Sequence, residues 1–281
     1  MKSTDCIPVL TDHLSRLPRP HVLVPTMGAL HEGHIALITQ ARKLAGEGGT
    51  VIVSIFVNPT QFDKKEDLAN YPKTLDSDLE KCKVYGVDLV FTPSPENMYF
   101  SGHSISVTED SLTTQLCGAT RPGHFDGVCT VVLKLFNITQ SDIAIFGKKD
   151  YQQLAIIRRM VRDLNIPISI EGLETVREPS GLALSSRNTN LSSEQHIDAP
   201  RIRRALRLAL EAYNSGERSV KALSLLAQRE IEGSTEEVKI DYLEILDAES
   251  LQKLEIINQP AVMATAVFYG KVRLIDNIEI G

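Results

Sequence analysis

Residues 21–42 read HVLVPTMGALHEGHIALITQAR, and three signals follow one another inside them. The apolar run His21 to Val24 reads as a buried strand, and Ile35 to Arg42 reads as an amphipathic helix. Pro25 to His34 lies between them as a glycine-containing turn. A strand, such a turn and a helix N-terminus in that order make an anion site. The first helix amides lack intrahelical partners and point outward, and the macrodipole favours negative charge there. His31 and His34 are three residues apart and share a face of the first helical turn. Gly33 leaves room for a ligand to approach the backbone. By spacing alone the two histidines read equally well as capping or core residues. No Gly-Lys-Ser/Thr follows, so this is not a Walker phosphate loop.

The flanking chain repeats the alternation. Thr50 to Val57, Val87 to Thr92, Ile143 to Phe146 and Ile166 to Ile170 read as strands, and Ser104 to Thr108 as a further one. Leu75 to Gly86, Gly127 to Asn137 and Tyr151 to Leu164 read as helices. This is the pattern of an α/β fold with a Rossmann-like, doubly wound parallel sheet. Such sheets bind ligands beyond the carboxyl ends of their strands, which places the histidine turn, Val57-Asn58 and Phe146-Gly147 on one edge. Polar and turn residues cluster from Thr175 to Asn190. Beyond them come helices carrying Ile202, Leu206, Ala209, Leu210 and Tyr213 and then Val220 to Ile231, and strands Lys239 to Leu246, Ala261 to Tyr269 and Gly270 to Ile275. The expected division is a sheet domain, residues 1–175, and a smaller C-terminal α+β domain, residues 176–281, packed on the first as a lid.

Composition narrows the function. The 281 residues are 42% hydrophobic and 23% charged, with a formal net charge of -6. That balance argues against nucleic acid or a membrane surface as the main partner. Cys6, Cys82, Cys117 and Cys129 form no CxxC pair, and no signal-peptide or membrane-spanning run is present, so a cytoplasmic protein with reduced thiols is expected.

Five other constellations carry chemistry. Asn58 and Gln61 leave a buried strand with uncharged amides suited to a small hydroxylated substrate, or to stabilising an Asn-Pro turn. Gly147-Lys148-Lys149-Asp150 repeats the strand-end geometry. A lysine there can reach a phosphate, and Asp150 can cap the helix or bind ribose hydroxyls. Ser185, Ser186 and Arg187 can clamp phosphate oxygens, or form a surface loop. Arg121 to Phe125 can meet a carboxylate or orient a loop. Asp76, Asp78 and Glu80 form an acidic helix face, either solvated or holding Mg²⁺. Together these residues describe a site for a polyphosphate nucleotide and a small partner, hence nucleotide-dependent group transfer.

The segments PTMGALHEGH, VSIFVNPTQF, RPGHFDGV, FGKKDYQQL, GLALSSRN and RLIDN resemble the pantoate–β-alanine ligase (pantothenate synthetase) family nearly end to end. That family belongs to the His-x-Gly-His nucleotidyltransferases. The resemblance implies an enzyme that adenylates pantoate with Mg-ATP, releases pyrophosphate, and passes the pantoyl group to β-alanine, yielding AMP and the coenzyme A precursor pantothenate. It implies ATP along Met27, Gly28, Ala29, Leu30, His31, Glu32, Gly33 and His34, with His31 on the phosphates and His34 as the catalytic proton donor. Gly147, Lys148, Lys149 and Asp150 would bind the nucleotide, Lys149 at the phosphates and Asp150 at the ribose. Val176 would lie at the adenine, and Leu184, Ser185, Ser186 and Arg187 at the phosphates, with Lys149 and Arg187 counted as catalytic. Pro25, Thr26, Met27, Asn58, Gln61 and Gln153 would line the pantoate and β-alanine side. Lys148 stands where the family often has Glu, and Ser77 where an acidic residue is frequent, so Asp78 becomes the expected magnesium ligand. A homodimer is the assembly implied.

Overall fold

Alternating β-branched runs and amphipathic helices produce, in the computed structural model, two sets of strands of opposite character. Residues 1–63 and 65–281 are described. By its contacts the chain divides into two units. One comprises Met1–Asp110, Thr120–Lys148 and Gln153–Glu174; the other comprises Ser111–Ala119, Lys149–Gln152 and Thr175–Gly281.

The first unit holds β1 (Lys2–Thr4), β2 (His21–Thr26), β3 (Thr50–Ile55), β4 (Leu89–Phe91), β5 (Ile143–Gly147) and β6 (Ser169–Leu173). They form one parallel sheet in the order β1-β4-β3-β2-β5-β6. The helices of this part of the chain are α1 (Ile7–Ser15), α2 (Glu32–Ala45), α3 (Lys65–Ala69), α4 (Leu75–Val84), α5 (Pro95–Met98), α6 (His124–Thr139) and α7 (Tyr151–Asp163). Val22 and Val24 of β2 and Val51 and Val53 of β3 pack with Ile35, Ile38 and Ala41 of α2 and Cys82 of α4. Leu23 and Ile52, at the alternate positions, are equally buried, so the sheet is covered on both faces. The chain runs outward from β2 through β3 to β4, then resumes at β5 on the other side of β2. The winding therefore reverses between β2 and β5, the place where doubly wound sheets open a crevice for ligands. The histidine turn follows β2, and Lys148 follows β5.

The second unit is built on the antiparallel sheet β7 (Val238–Asp247), β8 (Ala261–Tyr269) and β9 (Val272–Ile280), with β8 central. Its helices are α8 (Ser193–Asp198), α9 (Arg201–Asn214) and α10 (Val220–Glu232). Ile202, Leu206 and Ala209 of α9 and Leu223, Ala227 and Ile231 of α10 share one core with Met263, Val267 and Tyr269 of β8.

The expected α/β sheet and small C-terminal α+β element are present, with local differences. Ser104 to Thr108 is not a strand: the nearby amides of Val107 and Glu109 donate to Thr130 Oγ1 and Asp126 Oδ1 on α6, which occupies donors that a ladder would need. β6 begins at Ser169 rather than Ile166, because Asn165 turns left-handed (φ 52°) and the Ile166 amide bonds back to Val161 O to close α7. β9 starts at Val272 and extends to Ile280, beyond the expected Ile275.

Candidate active site

The two histidines cap their own helix. α2 starts at Glu32, and the His31 imidazole Nδ1 accepts from the Gly33 amide at 3.1 Å. The His34 Nδ1 accepts in return from the His31 amide at 3.3 Å. This is a capping box in which two imidazoles replace the usual hydroxyl and carboxamide. It corrects the expectation of outward-pointing first amides, since those of His31 and Gly33 are taken by the rings. A nitrogen that accepts carries no proton, so each ring is the neutral tautomer with its hydrogen on Nε2. Cap and tautomer are thus one device, in which backbone geometry fixes both imidazoles as Nε2–H donors. The rings lie 4.2 Å apart, tilted by 46°. A Cβ on Gly33 would stand 2.8 Å from His31 Cε1, so only glycine admits the folded-back ring.

The turn before the histidines is held from beneath. Gly28 and Ala29 have φ of 85° and 51°, and a Cβ on Gly28 would press on Ile55 and Asp78 at 3.1 and 3.2 Å. The Asp78 carboxylate accepts from the amides of Ala29 at 2.9 Å and Leu30 at 2.8 Å and from the Thr74 hydroxyl at 3.0 Å. Lys81 Nζ donates to Leu30 O from the next turn of α4. Asp78 is only 1% exposed. The structure thereby gives Asp78 a different task from the expected magnesium ligand: both oxygens are engaged by the loop, away from water. Among the described residues no group of three or more His, Cys, Asp or Glu side chains is placed to hold a metal ion. The described residues do not fit a protein-caged magnesium.

Asn58 and Gln61 frame the turn Pro59–Gln61 after β3. Asn58 is 1% exposed, and its Nδ2 donates to Gln61 Oε1 and Gly127 O, both at 3.1 Å. Its Oδ1 accepts from Thr60 Oγ1 at 2.9 Å and Tyr99 Oη at 2.8 Å. Burial raises the Tyr99 phenol above its ordinary pKa and keeps it a donor. With both ends of its amide engaged, Asn58 orients Gln61 instead of reaching a substrate as expected. Gln61 Nε2 contacts Met27 Sδ at 3.1 Å.

The RPGHF segment proves to be the loop-orienting one of its two readings. His124 Nδ1 donates to Gln61 O at 2.7 Å, and Arg121 reaches Gln61 O, the His124 ring and Asp63. A Cβ on Gly127 would stand 2.6 Å from Thr60 O, so glycine is what lets α6 touch this turn. Tyr99 and Gly127 were not picked out in the sequence as supports for Gln61, and His124 only as part of a loop-orienting segment. Their partners lie dozens of residues away, and no local pattern announces them.

At the end of β5, Lys148 pairs with Glu174, so the extra positive charge relative to Glu at that position is already matched. Gln153 is half-buried on α7, while Gln152 beside it is 5% exposed and committed to Leu112 O, Gln115 O and the Gly118 amide.

The second unit carries the remaining expected residues. Val176 O accepts from the Leu184 amide at 3.0 Å, closing a tight turn that leads into Ser185. Ser185 Oγ caps the turn Ser186–Asn190 by accepting from the Arg187 amide, leaving Ser186 and Arg187 at the surface. Lys149, Leu182, Ser185, Arg203 and Asp276 line a narrow cleft in this unit of about 10 Å³, room for one water molecule. Asp150 is exposed.

The sequence model of the pantoate–β-alanine ligase family matches residues 7–279. Pantothenate synthetase of Akkermansia muciniphila is 57% identical over 259 residues, 92% of each chain. The crystal structure of pantothenate synthetase from Thermus thermophilus superposes with a TM-score of 0.90 at 42% identity, covering 99% of both chains. Pantoate–β-alanine ligase from Francisella tularensis, complexed with beta-gamma ATP and β-alanine, gives 0.77 at 37% identity over 99% of this chain and 97% of its own. With its family model spanning nearly the whole chain and a relative more than half identical over most of it, this chain belongs to the pantoate–β-alanine ligase family.

Proposed function

We propose that the edge of the sheet at β2 and β5 is where this ligase converts pantoate to its adenylate before β-alanine displaces AMP. The observation that carries the reading is the reciprocal His31–His34 cap, which fixes two Nε2–H donors at the start of α2. A carboxylate is a poor electrophile. ATP makes it a mixed anhydride, and the transition state gathers negative charge on the α-phosphate and on departing pyrophosphate. Donors held in place before the reaction stabilise that charge more than they stabilise the ground state. In this reading His34 serves the phosphate where charge develops and His31 the neighbouring phosphates. Met27 to Gly33 line the ATP side of the site, and Gly147 lets the nucleotide approach the end of β5. Lys149 and Arg187 neutralise phosphate charge, Asp150 meets the ribose, and Val176 and Leu184 to Ser186 complete the nucleotide contacts.

Gln61 and Gln153 present uncharged amides to the pantoate hydroxyls, with Pro25, Thr26 and Met27 beside them. Gln61→Ala and Gln153→Ala are each expected to raise the KM for pantoate about tenfold, the worth of one or two hydrogen bonds, with the KM for β-alanine changed much less. Steady-state kinetics with each substrate varied in turn checks this. An unchanged pantoate KM in both variants would remove the assignment.

Magnesium enters this reading as part of the substrate, bound to the phosphate oxygens of ATP, with no cage of protein ligands. The assembly proposed is a homodimer, which sedimentation equilibrium would report as twice the chain mass. Among the described residues no helix is long and apolar enough to cross a membrane, and none of the four cysteines is in a disulfide. A cytoplasmic location is part of the proposal.

A further inference from the structure

The segment RLIDN, residues 273–277, contributes none of the side chains assigned above to ATP or pantoate. One of its members nevertheless bonds a segment assigned to the phosphates, and its neighbour fixes the turn that leads into the other. Asn277 is 7% exposed, and its Nδ2 donates to Lys149 O at 3.0 Å. Asp276 is 4% exposed and forms a two-pronged ion pair with Arg177, at 2.7 and 2.8 Å. Arg177 also donates to Gly181 O, within the turn whose second arm runs into Ser185. The pair is itself fixed, because the Asn277 amide donates to Asp276 Oδ1 at 2.8 Å and Arg203 donates to Asn277 O at 3.2 Å. Both residues lie on β9, in register with Thr265 and Ala264 of β8.

We propose that Asp276 and Asn277 are positioning residues that hold the two phosphate-binding segments, Lys149 and Ser185–Arg187, at a fixed spacing. The proposal rests on the assignment of Lys149 and Arg187 to the ATP phosphates. Adjacent residues on a strand face opposite ways, so one strand position can brace two segments that are far apart in sequence. A buried ion pair adds little net stability against a well-packed apolar alternative, and its value here is geometric. It also carries an electrostatic consequence. Asp276 lines the same cleft as Lys149 and Ser185, and an unmatched carboxylate there would repel phosphate. The fork of Arg177 cancels that charge while tying down the turn.

The test is a double-mutant cycle on the full-length enzyme, with melting midpoints measured throughout. Asn277→Ala is expected to raise the KM for ATP about threefold to tenfold and leave the KM for pantoate nearly unchanged. Lys149→Ala should raise the ATP KM further, and Asn277→Ala added to Lys149→Ala should cost little more, because the asparagine acts through the lysine. Additive losses, or equal effects on both substrates, would mean a general structural role and overturn the proposal. If Asn277→Ala does not fold, Arg177→Lys keeps the charge but not the two-pronged geometry, and it should show the same selective rise in ATP KM. A Lys149→Ala enzyme with an unchanged ATP KM would instead remove the phosphate assignment of Lys149, and the brace would fall with it.

Discussion

Replacing His34 with alanine is expected to lower the rate of pantoate adenylation by about a hundredfold or more, the loss seen when one donor to a developing oxyanion is removed. The expectation follows from where the ring is fastened. Its Nδ1 is committed to the His31 amide, so its Nε2 carries the proton. The substitution also removes half of the cap on α2, at a cost of roughly 0.5–2 kcal/mol in stability. Two variants separate these effects. His34→Asn keeps an acceptor that can reach the His31 amide but has no group at the Nε2 position. It should retain most of the stability and still lose the rate. His31→Ala should lose the same cap from the other side with a smaller fall in rate, since His31 serves phosphates whose charge changes less. Single-turnover adenylation at saturating ATP and pantoate, beside thermal melts, reads both quantities. If His34→Asn were to adenylate normally, His34 would be a cap and nothing more.

Asp78→Ala is expected to have the largest effect on the fold of any single change outside the core. It strands the amides of Ala29 and Leu30 and the Thr74 hydroxyl, which share a carboxylate that is 1% exposed. Each buried donor left without a partner costs about 1–3 kcal/mol, and with Thr74 exposed the two amides set the total at roughly 2 kcal/mol or more. Because the stranded amides belong to the turn before His31, activity should fall with stability. Asp78→Asn is not a remedy: its NH₂ group must face one of the backbone donors. A magnesium titration distinguishes this account from metal ligation. Excess magnesium should leave the rate of Asp78→Asn low, whereas recovery of that rate would restore Asp78 as a metal ligand.

What was legible in the sequence was what local pattern encodes. The strand Val22 to Val24 and the run Thr50 to Ile55 are continuous apolar runs, as in strands buried on both faces, and the helix between them has a period of 3.6 residues. That alternation of strand and helix places the histidine turn and Gly147 at the carboxyl edge of the sheet. The resemblance named the chemistry because its motifs lie in those same turns. What was not legible was which polar residues support others. Asp78 and Asn58 look like ligands in a linear reading, since an acidic helix face and an Asn after a strand are common binding features. Their partners, Ala29, Leu30, Gly127 and Tyr99, are brought to them only by tertiary folding. The reciprocal imidazole cap was legible only as one of several readings of the histidine pair, because capping is ordinarily recognised by Ser, Thr, Asp or Asn at the first position. Ser104 to Thr108 looked like a strand because its alternation is real; side chains of α6 take the amides of Val107 and Glu109 instead.

The central claim, that pantoate is activated by ATP at the histidine turn before β-alanine takes part, is tested most directly by ATP–pyrophosphate exchange. The account predicts exchange that requires pantoate, proceeds without β-alanine, and falls about a hundredfold or more in His34→Ala. Exchange that ignores pantoate, or that appears only when β-alanine is added, would contradict it.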